Sequence, residues 1–346
     1  MKYMNITFLI GNGFDIAIGL NTSYQSFYKW YLEQDDESED IAFLKDHIRG
    51  HEKTTWADFE IALGQFTSKF DNAERFIKCF QYVRASLMDY LKMVYEEKKK
   101  EKDFLKSATY CLIEFSQNLN KDLKNKDYFS VSKDCEMIFN CLSFNYTPVF
   151  RDGKNELEQN SYGISSRDGW YNNYKLGEFM NVHGLIDNNP IVGVDNVTQI
   201  ANESFRTNKK IVNMMVKGEY DKQIRAGWRE KAYNIIQNSD EIYIYGMSLG
   251  ETDMFWWKTI AEWFEKDLIN HKLVIYCHPD DDNKMLLAKT NTALENIRKH
   301  LKDKDYITSI EIDNIEKKLI VAFVRLQYHS IIRTDAKAYL DVIKAK

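Results

Sequence analysis

The chain has 346 residues, 44% of them apolar and 29% charged, enough to bury a large core as one domain or as a domain carrying a substantial insertion. A formal net charge of −5 gives no electrostatic footprint for nucleic acid, and three prolines in all speak against a Pro-rich disordered linker. No apolar run approaches the roughly 20 residues that cross a bilayer, so no membrane partner is expected.

Met4–Leu20 (MNITFLIGNGFDIAIGL) reads as a buried strand, a glycine turn and the start of a helix. The unbroken apolar run before Gly11 is only Phe8–Ile10, too short for a signal peptide, and a cytoplasmic location is expected. Gly11 and Gly13 permit a tight turn with close backbone approach. The first N–H groups of the following helix, with its dipole, would face a phosphate or pyrophosphate. G-N-G lacks the third glycine of the dinucleotide fingerprint, so the turn alone is equally a tight connection.

Thr22 or Ser23 can cap a helix with Tyr24, Phe27, Tyr28 and Tyr31 at helical spacing. Gln34–Asp40 is an acidic run, read as a solvated loop or helix end. Thr55–Asp58 fits a capping box leading into a helix, and apolar residues recur at helical intervals over Phe76–Asp103 and Phe104–Leu123. Positions from about 20 to 130 thus read as a helical insertion between the first two strands. Glu136–Phe144 returns to strand character, Arg151–Asn173 reads as loop, Phe179–Val182 is a short approach to His183-Gly184, and Ile191–Val194 is a candidate strand. Residues 200–237 read as helical, Glu241–Tyr245 as a strand, Asp253–Phe264 as an aromatic-rich helix and Lys272–Cys277 as a strand. The tail suggests a strand near Tyr306–Ile312 and then helix. Strands separated by helical segments mark an α/β parallel sheet.

Polar clusters follow these strands at Gly11-Asn12-Gly13-Phe14-Asp15, Asn145-Tyr146-Thr147, His183-Gly184, Gly246-Met247-Ser248-Leu249 and His278-Pro279-Asp280. The carboxyl ends of parallel strands share one edge, where ligands bind, so these distant clusters are expected to converge. Each has a plainer reading as well. Asn145 suits a turn before Pro148, Ser248 suits a helix cap, His183 suits a structural histidine, and Asp15 and Glu60 suit solvated helix positions. Phe255, Trp256, Trp257, Trp263 and Phe264 read as packing rather than as a stacking platform. Cys79, Cys111, Cys135, Cys141 and Cys277 contain no C-x-x-C pair, which provides neither zinc spacing nor a disulfide framework, and no metal is expected.

In order along the chain, GNGFD (Gly11–Asp15), TSY (Thr22–Tyr24), WADFE (Trp56–Glu60), FNYT (Phe144–Thr147), VHG (Val182–Gly184) and YGMSLGETD (Tyr245–Asp253) resemble the AbiH family. That family is associated with bacterial abortive infection against phage. The succession of a glycine turn, an Asn after a strand, His-Gly and G-x-S-L is also similar to the sirtuin-like NAD-binding fold, including its defence-associated NAD hydrolases. The resemblance implies a Rossmann-like parallel sheet in a single sirtuin-like α/β domain over 1–346. It would carry a helical insertion over about 22–134 and a C-terminal helical extension over about 313–346.

By the same resemblance Asn145 and His183 carry the chemistry. Gly11, Asn12, Gly13, Phe14 and Asp15 seat the nucleotide with Gly246, Ser248, Leu249 and His278, and Glu60 and Asp253 are accessory. The implied activity is NAD glycohydrolysis to nicotinamide and ADP-ribose, with NAD as substrate. A phage-derived trigger is implied, and aromatic-rich helices suggest a homo-oligomer. Alternatives are a hydrolase of another nucleotide, such as ADP-ribose, and a non-catalytic nucleotide sensor signalling to a partner. Asp15 and Tyr146-Thr147 depart from the sirtuin pattern, and without the cysteine zinc module protein deacetylation is disfavoured.

Overall fold

The computed structural model describes residues 2–35, 38–53, 58–109, 111–112, 135–159, 174–247, 251–267, 271–277, 292, 295, 319–327 and 330–335. Its centre is a seven-stranded sheet of β1 (Lys2–Ile10), β2 (Cys135–Ser143), β3 (Tyr174–Asn181), β4 (Glu241–Tyr245), β5 (Lys272–Cys277), β6 (Leu319–Gln327) and β7 (Ser330–Asp335). The spatial order is β3-β2-β1-β4-β5-β6-β7. Neighbours pair in parallel through β6, and only β7 runs antiparallel. The order of the first six is that of the Rossmann fold, whose direction of winding reverses between β1 and β4.

Period-two alternation explains why these strands sit at the centre. Ile6, Phe8 and Ile10 of β1, Tyr243 and Tyr245 of β4, and Val274 and Tyr276 of β5 share one buried cluster. Leu9, Ile242, Ile244, Leu273 and Ile275 point to the opposite one, where Trp256, Trp257 and Trp263 of the helix Met254–Lys266 cover them. Both faces are thus closed by helices, as a parallel sheet requires. The aromatic-rich helix serves packing: Trp257 and Trp263 are fully buried.

The short helix α1 (Asn12–Ala17) follows β1, and α2 (Tyr24–Tyr31), α3 (Glu39–Ile48), α4 (Phe59–Phe66) and α5 (Ala73–Lys99) precede β2. Ser23 caps α2, Ser38 caps α3 and Asn72 caps α5, each accepting from an N–H in the first turn. Asp58 itself caps α4, its Oδ1 accepting from the amides of Glu60 and Ile61. The cap therefore falls at the end of the expected capping box, whose Thr55–Ala57 lie outside the described residues. These helices share a third cluster, with Phe27, Phe59, Phe76 and Phe80 at its centre, to which Val192, Val194, Ile200, Phe205, Ile211 and Met215 also belong.

Several expectations need correction. Residues from Arg151 do not begin a loop, because the helix Val149–Gln159 occupies that stretch. Its polar composition hides two buried anchors, Val149 and Phe150, and Gly153 lets it lie against the Leu105 backbone and Thr109. The strand before His183 starts at Tyr174, five residues earlier than expected. Ile191–Val194 forms no strand beyond a single bridge from Val194 to Val216, since its apolar residues fill the third cluster instead. The expected C-terminal helical extension over 313–346 is, where described, the strand pair β6 and β7: Leu319–Gln327 carries a β-branched, apolar run that continues the sheet beyond β5. The strand expected at Tyr306–Ile312 lies outside the described residues.

Candidate functional site

A cavity of about 290 Å³ opens at the carboxyl edge of the sheet, beside the reversal between β1 and β4. Gly11, Asn12, Asp15, Glu60, Asn145, His183, Gly246 and Asp253 all line it, so the expected convergence occurs for these residues. Gly13 and Phe14 lie in the same turn but do not line it. Ser248, Leu249 and His278 lie outside the described residues.

The glycines interlock two strand ends. Gly11 N–H donates to Tyr245 O and Gly13 N–H to Gly246 O, both at 2.9 Å, and Phe14 N–H donates to Gly11 O. A Cβ on Gly11 would collide with the Met247 backbone, one on Gly13 would meet Gly246 Cα at 2.7 Å, and one on Gly246 would strike Phe14 N. Gly246 also has φ +63°, a conformation that favours glycine. The amides of Gly11, Gly13 and Phe14 are therefore engaged inside the fold, and the last of these is one of the first helix N–H groups expected to face an anion. Asn12 turns its side chain to Thr22, donating to Thr22 O and accepting from Thr22 Oγ1, which fixes the turn to the start of the insertion.

Asn145 and Asp15 form a buried unit. Asn145 Nδ2 donates to Asp15 Oδ1 at 2.7 Å and to Gly11 O at 3.2 Å, and Thr147 Oγ1 donates to Asp15 Oδ2 at 2.6 Å. With both amide hydrogens engaged, Asn145 has its side-chain oxygen left to offer the cavity. Burial raises the Asp15 carboxyl to about 7, against the two hydrogen bonds that lower it. Asn181 at the end of β3 holds the loop by donating to Asn145 O and Thr147 O.

His183 lines the same cavity, with side-chain exposure of 9%. Its ring meets Phe144 edge to face at 5.3 Å. Its Nε2 is buried without a hydrogen-bond partner. Asp253 Oδ1 lies 3.4 Å away, close enough for electrostatic attraction but not aligned as a hydrogen bond. Burial and then Lys217 lower the His183 pKa, against Asp253 and Glu60, so the imidazole is neutral near pH 7.

Behind these residues runs a buried ion network. Lys217 Nζ lies 2.8 Å from Glu60 Oε2 and 3.2 Å from Asp253 Oδ1, and donates to Thr252 O. Burial opposes the ammonium, but Asp253 and Glu60 outweigh it and raise the Lys217 pKa. Burial likewise opposes the Asp253 charge, yet Lys217, and then His183, hold that carboxyl well below the usual range. Glu60 Oε1 accepts from Gly193 N–H at 3.3 Å, and Tyr146 donates its hydroxyl to Ile191 O. Tyr24, Asp58, Thr22 and Thr252 complete the polar lining.

Lys217, Asp58 and Thr252 were not expected as site residues. Nothing in the helical KGEYDKQI distinguishes a buried lysine from a solvated one, whereas Asp58 directly before an apolar helix carried the signal of a cap. Among the described residues no group of three or more His, Cys, Asp or Glu side chains is arranged to hold a metal ion.

The family model for bacteriophage abortive infection AbiH matches residues 7–276, which runs from within β1 to within β5 and includes every described lining residue of the cavity. No curated protein matches the chain.

Proposed function

The chain belongs to the AbiH family of bacteriophage abortive infection proteins, and from that premise we propose that it hydrolyses the N-glycosidic bond of a nucleotide, with NAD as substrate. Family membership indicates a role in phage abortive infection, and depletion of NAD on infection would supply it. The observation that carries the reading is the buried Nε2 of His183, which makes no aligned hydrogen bond and has only Asp253 Oδ1 at 3.4 Å, on the same cavity as Asn145. A buried nitrogen without a partner is costly unless a ligand engages it.

The chemistry suits these groups. Loss of nicotinamide from ribose passes through an oxocarbenium-like transition state, as in glycoside hydrolysis. The electron pair of the breaking C–N bond neutralises the pyridinium ring, so the leaving group needs no acid. Water adds to the anomeric carbon, and its proton passes to His183 Nε2. Asp253, 3.4 Å from that nitrogen, stabilises the imidazolium that forms. The Asn145 side-chain oxygen, fixed by the amide's bonds to Asp15 and Gly11, accepts from the water or a ribose hydroxyl and orients it.

The test compares NAD, measured by chromatography, in bacteria expressing wild type or His183→Ala, before and after phage challenge. The expected result is a fall with wild type and none with the variant, general-base loss being worth roughly 10²–10⁴ in rate. Intact protection with an unchanged pool would refute NAD cleavage.

A further inference from the structure

The lining of the cavity restricts which part of a nucleotide enters it. Four acidic residues line it, Asp15, Asp58, Glu60 and Asp253. Burial leaves Asp15 partly protonated near pH 7 and Lys217 offsets one charge of the last two, so the balance stays negative, with no Arg or Lys among the described lining residues. Lys217 is engaged by Glu60 and Asp253, and Arg229 stands against Asp195 at 3.5 Å. Of the turn's amides, those of Gly11, Gly13 and Phe14 donate within the fold, which leaves that of Asn12, at the start of α1. A pyrophosphate among these carboxyls would meet like charge in a partly desolvated space and, of the turn's amides, only that of Asn12. A positively charged ring meets the opposite conditions, since clefts of one sign concentrate ligands of the other. The buried Nε2 of His183, short of an aligned hydrogen bond with only Asp253 at 3.4 Å, independently calls for a polar ligand group, such as a sugar hydroxyl, in the same space.

Resting on the glycosidic reading above, we infer that the cavity admits the cationic base and its ribose and leaves the phosphates outside. The substrate class is then N-ribosyl cations, of which NAD is one member and the unphosphorylated riboside another. Negative charge in the site also opposes entry of ADP-ribose, the phosphate-bearing product that lacks the cation.

The experiment is equilibrium binding to the wild-type chain of nicotinamide riboside, nicotinic acid riboside and ADP-ribose, with nicotinamide release from NAD followed in parallel. Nicotinic acid riboside keeps the shape and replaces the ring carboxamide with a carboxylate. The expected result is that nicotinamide riboside binds at least tenfold more tightly than either of the others, about 1.4 kcal/mol. Equal or tighter binding of ADP-ribose overturns the inference, as does equal binding of the two ribosides or no binding of any probe. Product analysis reports on the hydrolysis separately. The expected binding order without nicotinamide release keeps the cavity's selectivity and removes the hydrolytic reading. Cleavage of NAD with ADP-ribose as the tightest ligand does the reverse.

Discussion

Replacing Lys217 with Met keeps the length of the side chain and removes the one ammonium that holds Glu60 and Asp253 together. At an effective dielectric of about 20, contacts at 2.8 and 3.2 Å represent gross attractions of ~6 and ~5 kcal/mol. Much of that is offset by the desolvation of a side chain only 4% exposed, a cost Met does not carry. Breaking a buried pair from one side leaves a net loss of about 3–5 kcal/mol, because uncompensated carboxylates stay behind. Urea unfolding at pH 7 measures it through the midpoint at unchanged slope.

The pH dependence of that loss follows from Asp253, whose carboxyl is held low mainly by Lys217 against burial. Without Lys217 its folded pKa rises above the unfolded value, and the folded state then binds more protons. The variant's stability therefore falls as pH rises through the new folded pKa, and its deficit against wild type shrinks as pH is lowered. The triple change Lys217→Met, Glu60→Gln and Asp253→Asn restores at least half of the loss. A cost below about 1 kcal/mol for Lys217→Met at pH 7, or a deficit that does not shrink on acidification, refutes a buried, mutually compensating network.

Other perturbations test neighbouring parts. Gly246→Ala forces a side chain into φ +63° and against Phe14 N, so it should cost about 2–4 kcal/mol from strain and overpacking together, measured by urea unfolding. Asp15 rises from 3.8 to about 7 in the folded chain. The stability tied to it is full below pH ~4, falls by about 4 kcal/mol as pH rises to about 7, and is flat beyond, a slope that Asp15→Asn should remove. Asn181→Ala leaves the carbonyls of Asn145 and Thr147 short of a donor. It should cost about 1–3 kcal/mol in unfolding free energy, and turnover should fall as Asn145 loses its fixed place.

The sheet was legible where alternation and glycine turns coincide. MNITFLIGNG states a strand with two buried faces followed by a close backbone approach, and EIYIYG and KLVIYC repeat the pattern. Convergence of Asn145, His183 and Asp253 then followed from the geometry of a parallel sheet. What the glycines approach was not legible. Their partners turned out to be each other's backbones, because a tight turn reads the same whether its neighbour is a phosphate or a peptide. The helix Val149–Gln159 was hidden by its polar face, and Lys217 by ordinary helical surroundings, since the carboxylates that bury it lie on α4 and after β4. Pairing between segments so far apart leaves no local trace.

Glu60 stands on α4, whose apolar residues pack in the third cluster, although Tyr95 near the end of α5 joins a cluster of the sheet, while Asp253 and His183 stand at the sheet's own edge. Lys217 is the shared counter-ion across that boundary. The proton affinity of His183 consequently depends on where the insertion stands: moving α4 away removes one carboxylate from Lys217 and leaves its field more fully to Asp253 and the imidazole. The insertion thus acts on the site in two ways, as part of the cavity wall and as an electrostatic lever on its charge state.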